Sequence, residues 1–197
     1  RLLAAGAWAG PVFLAGSFVQ LPLNPGFDLT RHAFSFLSLG PYGWLQQLVF
    51  VVTGLLNITA GLGLLRLLTG RVRVVTGVAL MVVGVGQVVA GIWPPPPSFG
   101  YPAGAPVGAP EQATTASVLH AVGFGTSVTA WVVALVGLAV FLRHGSRRWA
   151  LAALGVALAL LLVPALSGTA YGTVVLYVVV STAFLFSTVL LRRLSLG

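Results

Sequence analysis

The sequence predicts an all-α, polytopic integral membrane protein: a bundle of six transmembrane helices with both termini in the cytoplasm. Three observations predict it. The 197 residues are 58% hydrophobic and only 6% charged, with a mean hydropathy of +1.04. A soluble domain carries about 25% charged residues to cover its surface, so ten arginines and two acids exclude a water-soluble globule. The apolar residues also gather into six charge-free runs, each near the roughly 20 residues that span hydrocarbon as helix. Finally, the arginines fall in alternate gaps between those runs. The same apolar content excludes disorder.

The runs follow one another as 2–21, 45–65, 74–93, 117–142, 149–166 and 173–191. The first has the arginine, apolar stretch and small residues of a signal peptide, but it is longer than a signal core. It is therefore expected to stay as a helix, kinked at Pro11. The chain opens on Arg1 rather than Met, which points to a few native residues ahead of it. Leu67–Val72 and His144–Arg148 leave room for little but turns, so runs two and three, then four and five, should be antiparallel neighbours. Ser167–Gly172 should join five and six in the same way. The fourth run is long enough to tilt, and the fifth, the shortest, carries Pro164 near its end. Apolar residues continue around every run, as lipid exposure requires. Three spans on each side of a long proline-rich segment is also the arrangement an inverted repeat needs, although the halves share no residue-level similarity.

Assigning the gaps to alternate sides puts Arg1, Arg66, Arg71, Arg73, Arg143, Arg147, Arg148, Arg192 and Arg193 on one side and only Arg31 on the other. Positive charge marks the cytoplasmic side. The expected counter-charge is anionic lipid headgroups rather than nucleic acid, which needs a solvated basic face. Asp28, Glu111, His32 and His120 then fall at the extracytoplasmic side. Two long loops lie there, 22–43 and 94–116. The second opens on four prolines and should be extended or irregular. Phe34–Leu39, in the first loop, is too apolar to be solvated; it should lie at the interface or re-enter between helices.

Polar residues within the spans are few: Gln20, Gln46, Gln47, Asn57 and Gln87. The ordinary fate of such groups is interhelical hydrogen bonding, worth about 0.6 kcal/mol each. Yet Gln20, Gln46, Gln87 and His120 come from four helices at similar depth, and their convergence would make a polar pocket open to the outside. Gln47 adjoins Gln46 and should face elsewhere. His120, one turn inside an apolar run, needs a partner or a polar cavity. Asp28 and Arg31 could be an ordinary exposed pair, with His32 and Glu111 as solvated loop residues. Alternatively, the long loops fold over the helix ends and bring these groups together. Gly6, Gly10, Gly61, Gly77, Gly84 and Gly91 recur at the spacing that lets helix backbones approach closely.

Chemistry has little to work with. The sequence contains no cysteine, which removes thiolate nucleophiles and thiolate metal sites. No histidine spacing presents two metal ligands on one helical face, and Ser35 and Ser38 are near His32 in sequence only. No cofactor or metal is expected.

The segment Asp28-Leu-Thr-Arg-His-Ala-Phe-Ser-Phe-Leu-Ser-Leu-Gly40, then Trp44 and a helix carrying Asn57, resembles the DUF998 family of multi-pass membrane proteins. So does the segment 84–94, glycine-rich and ending in Trp-Pro, and the similarity continues to His120. The resemblance covers nearly the whole chain. It implies a compact six-helix membrane protein of unknown function and supplies no mechanism.

The leading functional expectation is a non-enzymatic protein that binds or moves a small amphipathic or lipid-like ligand. Its outward-facing pocket would be lined by Gln20, Gln46, Asn57, Gln87 and His120 and rimmed by Asp28, Arg31, His32 and Glu111. The alternatives are an outer-leaflet hydrolase using Asp28, His32 and His120, and a structural subunit of a membrane complex.

Overall fold

Pro11 has no N–H, so the carbonyl of Ala7 loses its helical partner. In a computed structural model, which describes residues 1–110, 112–166 and 171–196, the first span accordingly breaks one turn before the proline. α1 covers Leu2–Gly6 and α2 covers Ala9–Phe18, with Ala7 and Trp8 as the joint. A 3₁₀ turn at Leu21–Leu23 ends the span.

The remaining spans are single helices: α3 (Gly43–Leu67), α4 (Gly70–Ile92), α5 (Thr115–Leu142), α6 (Arg147–Leu166) and α7 (Gly172–Leu196). Each starts one to four residues before its apolar run, because helix formation begins in the polar flank, while α4, α5 and α6 end within a residue of theirs. Thr114 shows why α5 starts early. Its hydroxyl accepts from the Ser117 N–H at 3.2 Å, while the Ser117 hydroxyl accepts from the Thr114 N–H at 2.8 Å. That reciprocal cap satisfies N–H groups a helix start otherwise leaves orphaned. All six spans are long and apolar enough to cross a membrane.

Each span packs on its sequence neighbour, and α7 returns to α1 and α2, so the helices close a ring. The seams differ. α3, α4 and α5 meet through glycines: a Cβ on Gly84 would lie 2.2 Å from the Gly54 carbonyl oxygen, one on Gly61 2.6 Å from that of Gly77, and one on Gly86 2.5 Å from that of Gly123. Backbones at that separation maximise the dispersion contact that holds helices together in lipid. Inside the ring, Phe13 stacks on Phe184 at 4.6 Å and meets the Phe50 ring edge-on at 5.4 Å. Trp131 packs edge-on against Phe184 at 4.7 Å.

The long loops close one end of the ring. Phe34–Leu39 is a 3₁₀ helix lying against α3, with Phe34 and Leu37 buried. From Ser98 to Gly108 the proline-rich loop doubles back instead of extending: the Phe99 N–H donates to the Gly108 carbonyl at 2.9 Å and Gly100 to Pro106 at 2.8 Å. Gly100 and Gly104 take left-handed backbone angles there, φ 82° and 89°, which cost glycine nothing.

Candidate functional site

The cap over the ring is built on His32. One helical turn, with the His32 N–H bonded to the Asp28 carbonyl at 2.8 Å, folds the imidazole back so that Nδ1 accepts from the Asp28 N–H at 2.9 Å. The opposite nitrogen lies 3.0 Å from the Phe99 carbonyl. A ring that accepts at Nδ1 must carry its proton at Nε2, so Nε2 donates to Phe99 and ties the two long loops together. Phe27, Phe36 and Tyr101 surround the ring at centroid distances of 5.5, 5.6 and 5.3 Å. The Tyr177 hydroxyl of α7 donates to the His32 carbonyl. Tyr101 in turn donates to Asn24 Oδ1 at 2.9 Å, and Asn24 Nδ2 to the Gln20 carbonyl at 2.8 Å. Burial pushes the Tyr101 phenol above its ordinary pKa, so it stays protonated and able to donate.

Asp28 stays in solvent. Its carboxylate accepts from the Thr30 hydroxyl at 2.7 Å and the Thr30 N–H at 2.8 Å, and these bonds, the hydroxyl's first, hold it below the ordinary aspartate range. Arg31 is exposed and joins the cap through its backbone carbonyl, 3.4 Å from the Thr173 hydroxyl. Glu111 lies outside the described residues.

The intramembrane polar residues form pairs. Gln20 Nε2 donates to Gln46 Oε1 at 2.9 Å, and Gln46 Nε2 to the Ser17 hydroxyl at 3.1 Å. This joins the end of the first span to α3. Asn57 Nδ2 donates to Gln87 Oε1 at 2.8 Å, joining α3 to α4. The Ser127 hydroxyl donates to the Val83 carbonyl at 3.0 Å, joining α4 to α5. Gln20, Gln46, Asn57 and Gln87 are each at most 5% exposed. Unpaired amides at that burial would cost far more than the pairing gains. Gln47 is half-buried and outside both pairs.

His120 makes a third kind of contact. Its Nδ1 sits 3.0 Å from the Ala90 carbonyl and 2.8 Å from the Trp93 carbonyl. These are among the carbonyls that the end of α4 leaves without helical partners. Facing two acceptors, Nδ1 carries the ring proton, and Nε2 keeps a lone pair that meets no partner among the described residues.

Beneath the cap, a cavity opens inside the ring. Its upper part leaves about 70 Å³ for the centre of a water-sized sphere and is bounded by Ala33, Phe34 and Ser35 of the cap, His120 and Phe124 of α5, and Tyr177 and Ser181 of α7, among others. A deeper part of about 50 Å³ reaches Gln87, Ser127, Trp131 and Leu160. Phe13, Phe50, Ala90, Phe124 and Val180 bound both parts, so the two adjoin, stacked in one column. About 10–15 Å³ of such space suffices for a water, so each part has room for more than one.

Of the residues expected to line a pocket, the structure brings His120 and Gln87 to this cavity. Gln20, Gln46 and Asn57 sit in helix seams, and His32 is enclosed in the cap rather than placed on a rim. Sequence reasoning missed the aromatic walls and the two tyrosines that pin the cap. A signal existed for the former: Phe13, Phe50, Trp131 and Phe184 each place a large ring inside one of four apolar spans. For acid–base chemistry the arrangement is poor. Both His32 nitrogens are committed to backbone, and the Ser38 hydroxyl donates to the Ser35 carbonyl at 2.6 Å rather than to a histidine. Among the described residues, no three His, Asp or Glu side chains gather as a metal site would require.

A ring of six apolar spans, closed at one end by packed loops over an aromatic cavity, defines a multi-pass helical membrane protein. The chain belongs to the DUF998 family, described as a protein of unknown function, which matches residues 7–195. No curated protein and no solved structure matches it.

Proposed function

We propose that this protein binds a small, lipid-like molecule in the column beneath its cap, with the capped end extracytoplasmic and the arginine end cytoplasmic. The observation that carries the reading is an aromatic cavity inside the ring with His120, whose Nε2 is unengaged, on its wall. A slender apolar hole with a few polar groups is the usual form of a small-molecule site. The orientation rests on the arginine asymmetry. At that end Arg1, Arg66 and Ser195 border an open groove of about 400 Å³, and Arg193 lies 5.5 Å over the Trp149 ring; both suit contact with anionic headgroups.

Native mass spectrometry of the delipidated protein with 1-decanoyl glycerol tests the reading. One molecule should bind per chain, and Val180→Trp, which fills the column from α7, should abolish that binding while the helices remain folded. Equal binding by the variant, or none by the wild type, overturns the proposal.

A further inference from the structure

The walls of the column also restrict which amphiphile it can take. No Asp, Glu, Lys or Arg borders either part of it. A charged headgroup drawn into such a site would leave water without a counter-charge, at a cost no neutral wall repays. The polar groups that do border the upper part are unequal. The Tyr177 hydroxyl is spent on the His32 carbonyl. The Ser35 and Ser181 hydroxyls, each able to donate or accept, have no hydrogen-bond partner among the described residues. His120 is fixed in role, because its Nδ1 proton is shared between the Ala90 and Trp93 carbonyls and its Nε2 can only accept. Below this level about 50 Å³ remains between Phe13, Phe50, Phe124 and Trp131, a volume and lining that suit one acyl chain better than two.

We propose that the ligand is an uncharged, single-chain amphiphile whose hydroxyl headgroup donates a hydrogen bond to His120 Nε2. This rests on the column being a binding site, and deepens that reading by naming the chemistry of its occupant. Free fatty-acid anions, sulfates and quaternary amines are excluded as preferred ligands, the first two because they present only acceptors to an acceptor.

The test compares two probes of similar length, 1-decanol and decyl methyl ether, which differ in the O–H donor. Equilibrium binding of each, tritium-labelled, is measured on protein in nanodiscs and corrected with empty nanodiscs. Wild type should prefer the alcohol by about tenfold, the value of one good hydrogen bond. The informative variant is His120→Asn. Its amide N–H₂ takes the place of Nδ1 and keeps the tie to α4, while the acceptor at Nε2 is lost; the preference should fall to about onefold at unchanged melting temperature. Decyl sulfate should compete at least tenfold more weakly than decanol. Equal wild-type affinity for the two probes, a preference that survives in His120→Asn, or a sulfate that competes as well as decanol each overturns this inference and leaves the binding site standing. If neither probe binds the wild type above empty nanodiscs, the site itself is refuted.

Discussion

The ring has two unlike halves. Between α3, α4 and α5, backbones touch through Gly54–Gly84, Gly61–Gly77 and Gly86–Gly123, and side-chain bonds from Asn57, Ser127 and His120 cross each seam. In the other half, α6 turns Ala150, Ala153, Ala157, Leu160 and Val163 inward and α7 turns Ala183, Phe184, Leu190 and Leu191 inward. Leu151, Leu154, Leu158, Leu161 and Leu162 of α6 and Val178, Leu185 and Val189 of α7 face outward, Gly155 has nothing near it, and the contact of α7 with α5 includes a single 3.2 Å bond from Trp131 Nε1 to the Ser187 hydroxyl. The cavity lies between the halves. The contrast teaches a division of labour: the glycine half fixes His120 through the Ala90 and Trp93 carbonyls, and the α6–α7 half closes the ring on the far side of the cavity.

Enlarging a seam residue is the most forceful way to break this comparison. Gly84→Leu must push α3 from α4 and should cost about 3 kcal/mol or more, whereas Gly155→Leu on α6 should stay within about 0.5 kcal/mol. Thermal melts followed by circular dichroism check both. Similar losses at the two sites would erase the distinction between the halves. A smaller effect is expected at the α3–α4 amide pair. A double-mutant cycle on Asn57→Leu and Gln87→Leu should give a coupling near 0.6 kcal/mol, typical of bonds between helices in lipid; zero coupling would mean that the glycine contacts alone hold this seam.

The smallest effect belongs to the cap. Asp28 has its folded pKa held below the unfolded value of 3.8. Its contribution is therefore fully present above that value and is lost as pH falls through the lower, folded one. Amide exchange at Thr30 should accelerate over that acid window in wild type and show no such step in Asp28→Asn. An unchanged step in the variant would assign the protection to another group.

Much of the fold was legible because membrane solvation is a coarse constraint. Any run from Leu45 to Leu65 without a charge must be helical in hydrocarbon, and nine arginines in alternate gaps leave few ways to thread the chain. The kink expected at Pro11 and the close approaches expected at Gly61, Gly77 and Gly84 also follow from local chemistry. The short turns named three neighbouring pairs of the ring, which the structure bears out; the rotation of each helix about its own axis was not legible. A helix apolar all round carries no stripe to say which face meets which neighbour, so the sequence could place Gln20, Gln46, Gln87 and His120 at one depth but not on one wall. Gln20 does pair with Gln46, but Gln87 pairs with Asn57, which lies about 16 Å further along α3 than Gln46, so Gln87 sits deeper than its place in the sequence suggested. His32 was unreadable for a different reason: its two partners are backbone groups, and the Phe99 carbonyl comes from a loop whose fold depends on turns at Gly100 and Gly104.

The central claim is that the column between the two halves holds a molecule. The most direct measurement is an experimental structure of the protein purified in native lipid, at a resolution that shows an acyl chain. The account predicts elongated density bounded by Phe13, Phe50 and Phe124, ending in a polar group within hydrogen-bond distance of His120 Nε2. A column holding only ordered waters, or closed by side chains from α7, would contradict it.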